Sequence, residues 1–242
     1  MTAERRWALI FAWGGALLFA VSLITFLYSY TVPFGHPAAP APGSSAARDA
    51  AIDIGLFSAF ALHHSLLARS RAKALIARVI PLWMERSLYT WTASLLFMGV
   101  CLSWRPLPGV LYSVSAPWNA IGYAIQIFGV VLTARGSSAI GVLDLAGVRA
   151  VLDARRGRGP VHVPLVTNGL YGFVRHPLYF AWVLIVFGTP RMTATRFVFA
   201  AVSTAYLALA IPFEERALIR LFGDDYVRYR RQVKWRMLPG VY

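Results

Sequence analysis

The sequence is poor in cysteine and in charged residues, and both shortages limit what the protein can be. Cys101 is the one cysteine among 242 residues, so no internal disulfide can form. No spacing of cysteine and histidine resembles a zinc site, and we expect no metal site. Charged residues make up 14% of the chain, whereas soluble domains carry roughly 25%. A disulfide-stapled domain, a zinc domain and an ordinary soluble globule are therefore excluded.

Acidic residues are scarcer than basic ones, and apolar residues dominate. The 24 Lys and Arg against 10 Asp and Glu give a formal net charge of +14, and 58% of the residues are hydrophobic. The mean hydropathy is +0.57. A basic chain with this much apolar sequence is typical of a membrane protein rather than of a nucleic-acid-binding protein. We therefore expect membrane lipid as a partner and no nucleic acid.

Six segments approach the roughly 20 apolar residues that a transmembrane helix needs. The first, 24 residues without a charge, is longer than the core of a signal peptide and lacks a convincing cleavage site, so we expect a retained transmembrane helix. We expect an all-α polytopic membrane helix bundle, with about six transmembrane helices plus cytoplasmic interfacial and C-terminal helices. The predicted spans are Trp7–Tyr30, Ala50–Ala68, Ser87–Trp104, Trp118–Ala134, a segment from about Tyr171 to Thr189, and Phe197–Phe213.

The distribution of Lys and Arg supports six spans. With the N-terminus in the cytoplasm, 20 basic residues fall on the cytoplasmic side and only Arg48, Arg105, Arg191 and Arg196 fall outside. Cytoplasmic loops of membrane proteins are enriched in Lys and Arg. We therefore expect both termini in the cytoplasm, in a bacterial inner membrane.

Two cytoplasmic stretches have helical character. Apolar residues recur at helical spacing between Ser137 and Arg156, which predicts a helix lying on the membrane surface. After Pro212 the pattern predicts two short helices, with a break at Gly223 and an N-cap at Asp224.

Ionisable residues concentrate at the cytoplasmic ends of the last two predicted spans. Arg175 and His176 open the fifth span, and Glu214 and Glu215 follow the sixth. Two helices joined by a short loop form a hairpin, so these ends emerge on one side of the membrane. Ionisable groups at such positions are often functional, although basic and acidic flanks of membrane helices are also routine.

The same residues carry a family resemblance. Residues 169–179, with Gly169, Tyr171, Arg175-His176-Pro177 and Tyr179, resemble the G-x-Y-x-x-x-R-H-P-x-Y signature of integral membrane methyltransferases. This family includes isoprenylcysteine carboxyl methyltransferase, phospholipid methyltransferases and bacterial methanethiol S-methyltransferase. The Glu214-Glu215 pair and residues 222–229 are similar to its later elements, although Lys234 stands where the family often has proline.

The resemblance implies S-adenosylmethionine as the methyl donor and S-adenosylhomocysteine as a product. The sequence shows no internal repeat and no second domain, so we expect a single integral membrane domain over 1–242, with helices one to four in 1–136. The resemblance implies that the cofactor-binding half lies in 137–242, after a cytoplasmic helix. Aromatic faces and carboxylates suit a sulfonium, and cations or N–H groups suit its aminocarboxylate tail. The cofactor-binding residues implied are Leu165, Val166, Gly169, Tyr171, His176, Tyr179, Glu215 and Tyr226.

Methyl transfer is an in-line displacement, so the protein mainly aligns the reactants and removes water. We expect Arg175 and Glu214 to be catalytic. Arg175 would fix the oxygens of a carboxylate acceptor, and Glu214 would take the proton of a thiol. The assignment of Glu214 to chemistry and Glu215 to the cofactor is open to exchange.

Motifs in the N-terminal half bear on the methyl acceptor. Residues 64–69 and 85–89, together with Asp144–Arg149 and Thr189–Thr193, are similar to segments of methanethiol S-methyltransferases. This similarity favours a small thiol, contacted by His64, Arg69 and Arg86, over a prenylcysteine, phospholipid or other lipophilic acceptor. A weaker resemblance to haem-binding membrane proteins leaves a redox or isomerase function open, with His64 as the haem ligand.

Overall fold

The protein is helical, as expected from the sequence. A computed structural model describes residues 3–37, 43, 45–67, 75–76, 78–159 and 164–242. Two short antiparallel strands, β1 (Val110–Ser113) and β2 (Arg191–Thr193), pair with each other, and 3₁₀ turns lie at Pro33–Gly35 and Gly169–Gly172. The helices of the described residues are α1 (Ala3–Thr31), α2 (Ala46–Leu67), α3 (Leu82–Ser103), α4 (Asn119–Ile140), α5 (Val142–Leu145), α6 (Val148–Arg155), α7 (Pro177–Phe187), α8 (Ala194–Phe222) and α9 (Asp224–Gln232).

Four of the described segments are long and apolar enough to cross a membrane: Arg6–Gly35, α2, α4 and α8. They correspond to the first, second, fourth and last predicted spans. Helix α3 has the length, at 22 residues, but Glu85 lies in its first turn and Arg86 follows. Helix α7 has 11 residues, which gives about 16 Å at 1.5 Å per residue, roughly half of a bilayer core. The membrane helices are confirmed, and the number six stays a prediction.

The chain forms two compact units that alternate along the sequence. The first comprises Met1–Phe34, Ala47–Arg105 and Gly141–Val163, and the second comprises Gly35–Ala46, Pro106–Ile140 and Pro164–Tyr242. The boundary predicted at residue 136 does not divide the chain into these two units. Helix α4 belongs to the second unit, while α5 and α6, which follow it, belong to the first. The expectation of one domain over the whole chain stays a prediction.

In the first unit, α1 packs against α3 around a tryptophan. The Trp91 indole fills the notch left by Gly14 and Gly15, where an added Cβ atom would come within 2.9 Å of the ring. Its Nε1 donates a hydrogen bond to the Phe11 carbonyl at 2.8 Å. The missing side chains of the two glycines therefore set the close approach of these helices.

In the second unit, α4 packs along α7 through glycines spaced at seven residues. A Cβ atom at Gly122 would lie 2.8 Å from the Gly188 carbonyl, one at Gly129 would lie 2.8 Å from Ile185 Cγ1, and one at Gly136 would lie 2.9 Å from Leu178 Cδ2. Small residues of this kind let membrane helices approach closely. Gln126 Nε2 adds a hydrogen bond to the Ile185 carbonyl at 2.8 Å, and α7 is thereby fixed along its length.

The C-terminal helices differ from the sequence expectation in two details, the missing helix break at Pro212 and the N-cap of α9. Helix α8 continues through Pro212 to Phe222 as a single 29-residue helix. Gly223 ends it with φ of 57°, which favours glycine, and the same residue is the N-cap of α9. The break at Gly223 is confirmed, but the predicted N-cap at Asp224 is wrong. Asp224 is the first helical residue, where the negative charge of its carboxylate interacts favourably with the positive end of the helix dipole.

The tight packing at Gly129 predicts that a change from glycine to alanine lowers the stability of the protein there but not at Gly99, which has open space around it. Gly129→Ala should lower the unfolding temperature, because its Cβ atom would also lie 2.9 Å from the Ala181 carbonyl. A forced overlap in a packed region costs about 1–3 kcal/mol. Gly99→Ala in α3, where a Cβ atom would meet nothing within 4 Å, should leave stability unchanged or raise it. Thermal unfolding in detergent measures both. Equal responses of the two variants would contradict the packing argument.

Candidate active site

The N-terminal end of α7 is held by the C-terminal tail of the chain. The Arg175 backbone N–H donates to the Trp235 carbonyl at 3.0 Å, and the His176 N–H donates to the Arg236 carbonyl at 2.8 Å. Pro177 opens α7 at a position where a missing N–H costs no helical hydrogen bond. These two backbone hydrogen bonds bring the predicted signature residues next to the segment that follows α9.

A buried ion pair joins this junction to α8. Arg175 Nε donates to Glu215 Oε1 at 2.6 Å, and the two side chains are 5% and 4% exposed. Arg175 Nη1 also donates to the carbonyls of Val233 at 2.6 Å and Lys234 at 2.8 Å. The guanidinium of Arg175, at the start of α7, thus links the first residues of the tail to the Glu215 carboxylate of α8. Because Lys234 takes part through its carbonyl, this contact does not require the proline common at that position in the family.

The second oxygen of Glu215 faces two more arginines. Arg230 Nε lies 3.6 Å from Oε2 and Arg236 Nε lies 3.9 Å from it, with side chains 39% and 33% exposed. Glu215 is thus a buried carboxylate in contact with three guanidinium groups. Sequence reasoning missed Arg230 and Arg236. The signal available was the density of arginine after Tyr226, which does not reveal which arginines turn inward.

The neighbouring carboxylate, Glu214, has a different environment. Its side chain is 44% exposed, and its Oε2 lies 3.5 Å from His176 Nδ1. The Tyr179 hydroxyl donates a short hydrogen bond to Glu214 Oε1. The rings of His176 and Tyr179 stack at 5.4 Å between centroids with 15° between their planes. His176 Nε2 lies 3.6 Å from Glu215 Oε1, so the imidazole stands between the two glutamates.

Two tyrosines of α9 complete the cluster. Tyr226 and Tyr229 are buried and pack edge to face at 5.6 Å, and Leu165 packs against them. The Tyr229 hydroxyl donates to the Tyr171 carbonyl at 2.6 Å. Within the described part of the chain, the buried Tyr226 hydroxyl has no hydrogen-bond partner, and neither has His176 Nε2. Burial raises the pKa of both α9 phenols, so both remain protonated at neutral pH.

Comparison with known proteins finds methyltransferases. The model of the isoprenylcysteine carboxyl methyltransferase family matches residues 160–220. A methanethiol S-methyltransferase of Crocosphaera subtropica is 38% identical over 75% of this chain and 72% of its own length. Methanethiol S-methyltransferase 1 of Bradyrhizobium diazoefficiens is 34% identical over 96% and 84%, and the methanethiol S-methyltransferase of Mycobacterium tuberculosis is 33% identical over 78% and 77%. No solved structure matches the chain.

The chain belongs to the family of membrane methyltransferases that includes these relatives. The methyltransferase brings eight of its ten predicted catalytic and cofactor residues into one cluster. Val166 is half-buried and Gly169 begins a 3₁₀ turn with φ of 59°, and neither has a described contact to the cluster. The eight are Leu165, Tyr171, Arg175, His176, Tyr179, Glu214, Glu215 and Tyr226, the last of which contacts Tyr229.

The predicted acceptor residues lie in the first unit of the methyltransferase. The Tyr89 hydroxyl lies 2.9 Å from the ring nitrogens of His64, and Ser87 Oγ donates to the Gly147 carbonyl at 2.8 Å. The motif at 85–89 therefore contacts both the motif at 64–69 and the motif at 144–149. Arg86 is exposed, and Arg69 lies outside the described residues.

The fourth motif has a structural role in the second unit. Thr193 Oγ1 accepts a hydrogen bond from the Arg196 N–H at 3.1 Å and caps α8. The buried Arg196 guanidinium donates to Thr189 Oγ1 at 2.9 Å and to the Arg191 carbonyl at 2.7 Å. The Thr189–Thr193 segment therefore forms the fixed turn between α7 and α8.

Removal of the buried guanidinium should destabilise the methyltransferase. In Arg175→Met, Glu215 loses its hydrogen-bonded partner, and breaking a buried ion pair from one side costs about 3–5 kcal/mol. The matched variant Arg228→Met removes a guanidinium that is 67% exposed and paired with Asp225, which contributes about 0–1 kcal/mol. Thermal unfolding in detergent compares the two. Similar unfolding temperatures would show that the Arg175 pair is dispensable.

Stability should also depend on pH through His176. Burial lowers the pKa of His176, but the closeness and charge of Glu214 and Glu215 outweigh burial and hold it above the usual 6.5. A histidine with a raised pKa stabilises the fold fully below the pKa of the unfolded chain and loses that contribution as the pH rises through the folded pKa. The unfolding temperature should therefore fall as the pH is raised from about 6.5. His176→Asn should flatten this dependence, and an unchanged slope in that variant would assign it to other groups.

Proposed function

We propose that this protein transfers a methyl group from S-adenosylmethionine to a small thiol, with methanethiol as the first acceptor to test. The observation that carries the proposal is the cluster at the start of α7, where Arg175, His176, Tyr179, Glu214 and Glu215 meet within hydrogen-bond or ion-pair distance. These residues supply stacked aromatic rings, two carboxylates and a guanidinium group at one place.

The residues present fit the donor chemically. S-adenosylmethionine carries a sulfonium, an aminocarboxylate and an adenosine, which require aromatic or acidic, cationic and hydrogen-bonding neighbours respectively. The Tyr226 hydroxyl and His176 Nε2 are buried polar atoms with no hydrogen bond to the described residues, and such atoms favour a polar ligand. We propose that the donor is held by Leu165, Val166, Gly169, Tyr171, His176, Tyr179, Glu215 and Tyr226.

The two glutamates suit different tasks. Glu215 is buried against Arg175 and His176 and so fixes the site. Glu214 is 44% exposed and keeps one oxygen near His176 while the other accepts from Tyr179. We therefore assign proton acceptance to Glu214. Arg175 is better placed as a positioning residue, because its Nε and Nη1 are occupied by Glu215 and two carbonyls.

The chemistry assigned to these residues is modest. When bound, S-adenosylmethionine supplies a methyl carbon made electrophilic by a positively charged sulfur. A bond forms between the acceptor sulfur and this carbon while the bond from the carbon to the donor sulfur breaks, which leaves S-adenosylhomocysteine. Glu214 accepts the thiol proton and later releases it to water. Alignment and exclusion of water account for most of the expected acceleration.

The range of the sequence matches supports a thiol acceptor over a prenylcysteine. The isoprenylcysteine carboxyl methyltransferase model covers residues 160–220, which include seven of the eight proposed donor residues. The Bradyrhizobium relative named for methanethiol matches over 96% of the chain, including the N-terminal motifs. The contact between His64 and Tyr89 lies among those motifs, and we retain His64, Arg69 and Arg86 as acceptor candidates.

The charge distribution supports an orientation. We infer that both termini face the cytoplasm, in a bacterial inner membrane, because 20 of the 24 basic residues then lie on the cytoplasmic side. The proposed donor site would then open toward the compartment that contains S-adenosylmethionine.

Calorimetric titration with S-adenosylhomocysteine, beside headspace detection of dimethyl sulfide from methanethiol, tests the proposal. The detergent-purified protein should bind, and His176→Ala should weaken binding by about 10-fold or more. Glu214→Gln should retain binding but lose about 100-fold in turnover. His36→Ala, an exposed histidine outside the cluster, serves as the control.

Each outcome has a separate meaning. A folded protein that does not bind S-adenosylhomocysteine would overturn the donor assignment. Binding that is unchanged in His176→Ala would show that the donor binds outside this cluster. Binding without dimethyl sulfide formation would overturn the acceptor while leaving the donor site in place.

A further inference from the structure

Arg230 of α9 and Arg236 of the tail share one side of the Glu215 carboxylate. Their Nε atoms lie 3.6 and 3.9 Å from Glu215 Oε2, and their side chains are 39% and 33% exposed. Both therefore border the buried ion pair and also reach solvent. Nothing in the proposed reaction has so far used them.

Their hydrogen-bonding capacity is not used within the described residues. Arg175 makes three hydrogen bonds through its guanidinium. Arg230 and Arg236 approach Glu215 only at distances beyond the usual 2.7–3.2 Å of a hydrogen bond from nitrogen to oxygen. Arg236 is instead positioned by the Tyr242 ring, with its Cζ 4.9 Å from the ring centroid. The planar donors of both arginines remain available to an acceptor that enters from solvent.

The charge of the cluster favours an anion at this place. Arg175, Arg230 and Arg236 stand against two glutamates, and His176 adds positive charge when it is protonated. An arginine pair can bind a carboxylate through parallel hydrogen bonds, which are among the strongest that proteins form. A second carboxylate beside Glu215 would therefore find donors and an excess of positive charge.

We propose that Arg230 and Arg236 bind the carboxylate of the amino-acid part of the methyl donor. This assignment rests on the proposed function and deepens it, because it names the groups that distinguish a donor with an amino-acid tail from an adenosyl thioether without one. Tyr226 and Tyr229 lie on the same helix as Arg230, so α9 would present both aromatic and cationic groups to one ligand.

Binding of two ligands to three variants tests the assignment. S-adenosylhomocysteine carries the carboxylate, and 5′-deoxy-5′-methylthioadenosine retains the adenosine and sulfur but lacks the amino-acid part. Arg230→Gln and Arg236→Gln should each weaken S-adenosylhomocysteine binding by roughly 10- to 100-fold. Both should leave methylthioadenosine binding within about 3-fold, a change under 1 kcal/mol. Arg231→Gln, an exposed neighbour on α9, should change neither ligand.

The pair of ligands separates a carboxylate contact from a general structural effect. An equal loss for both ligands would overturn the assignment, as would unchanged S-adenosylhomocysteine binding in both glutamine variants. Arg236→Lys should restore only part of the affinity, since an ammonium keeps the charge but not the planar pair of donors. A wild-type protein that binds neither ligand would instead refute the proposed function, and unfolding temperatures show that each variant is folded.

Discussion

The site depends on one buried ion pair, between Arg175 and Glu215. The two residues are 40 positions apart, and each charge alone would be costly to bury. The arrangement is stable because the guanidinium also donates to the carbonyls of Val233 and Lys234, so that one side chain satisfies a carboxylate and two tail carbonyls. The start of α7, the cytoplasmic end of α8 predicted from the sequence and the tail after α9 are consequently joined at one point. His176 follows Arg175 directly and pairs with the same tail through its backbone N–H, so its position is tied to that junction.

Adjacent glutamates on one helix acquire different environments because successive helical residues point about 100° apart. Glu215 faces the junction and is 4% exposed, while Glu214 faces outward and is 44% exposed. Their sequence neighbourhood is nearly identical, and the motif alone therefore leaves their roles exchangeable. Contact with Tyr179 and His176 separates them: the buried residue organises the site, and the exposed one is able to exchange a proton.

Sequence reasoning found the helical membrane class and most of the cluster, because a dense motif and an acidic pair at helix ends are local signals. It did not find Arg230 or Arg236, since the inward direction of an arginine depends on the path of the tail and on backbone pairing of Arg175 and His176 with residues 235 and 236. Hydropathy likewise overestimated the length of α7, because apolar residues preceding Pro177 belong to a turn. Asp53 accepts a hydrogen bond from the Arg105 backbone N–H at 2.8 Å, a long-range contact that composition does not encode.

The location of such a site in a membrane protein suits the proposed reaction. A thiolate and a sulfonium carry opposite charges that are dispersed as the methyl group passes between them, so a site with little water favours the transition state over the separately solvated ions. The first proton must still leave the thiol, and a half-exposed carboxylate such as Glu214 provides an exit that a buried one does not. The glycines of α4 matter to this chemistry because they fix α7, and α7 carries the stacked His176 and Tyr179 rings at its first turn. In the proposed reaction, close helix packing remote from the reacting atoms would thereby set the alignment on which an in-line transfer depends.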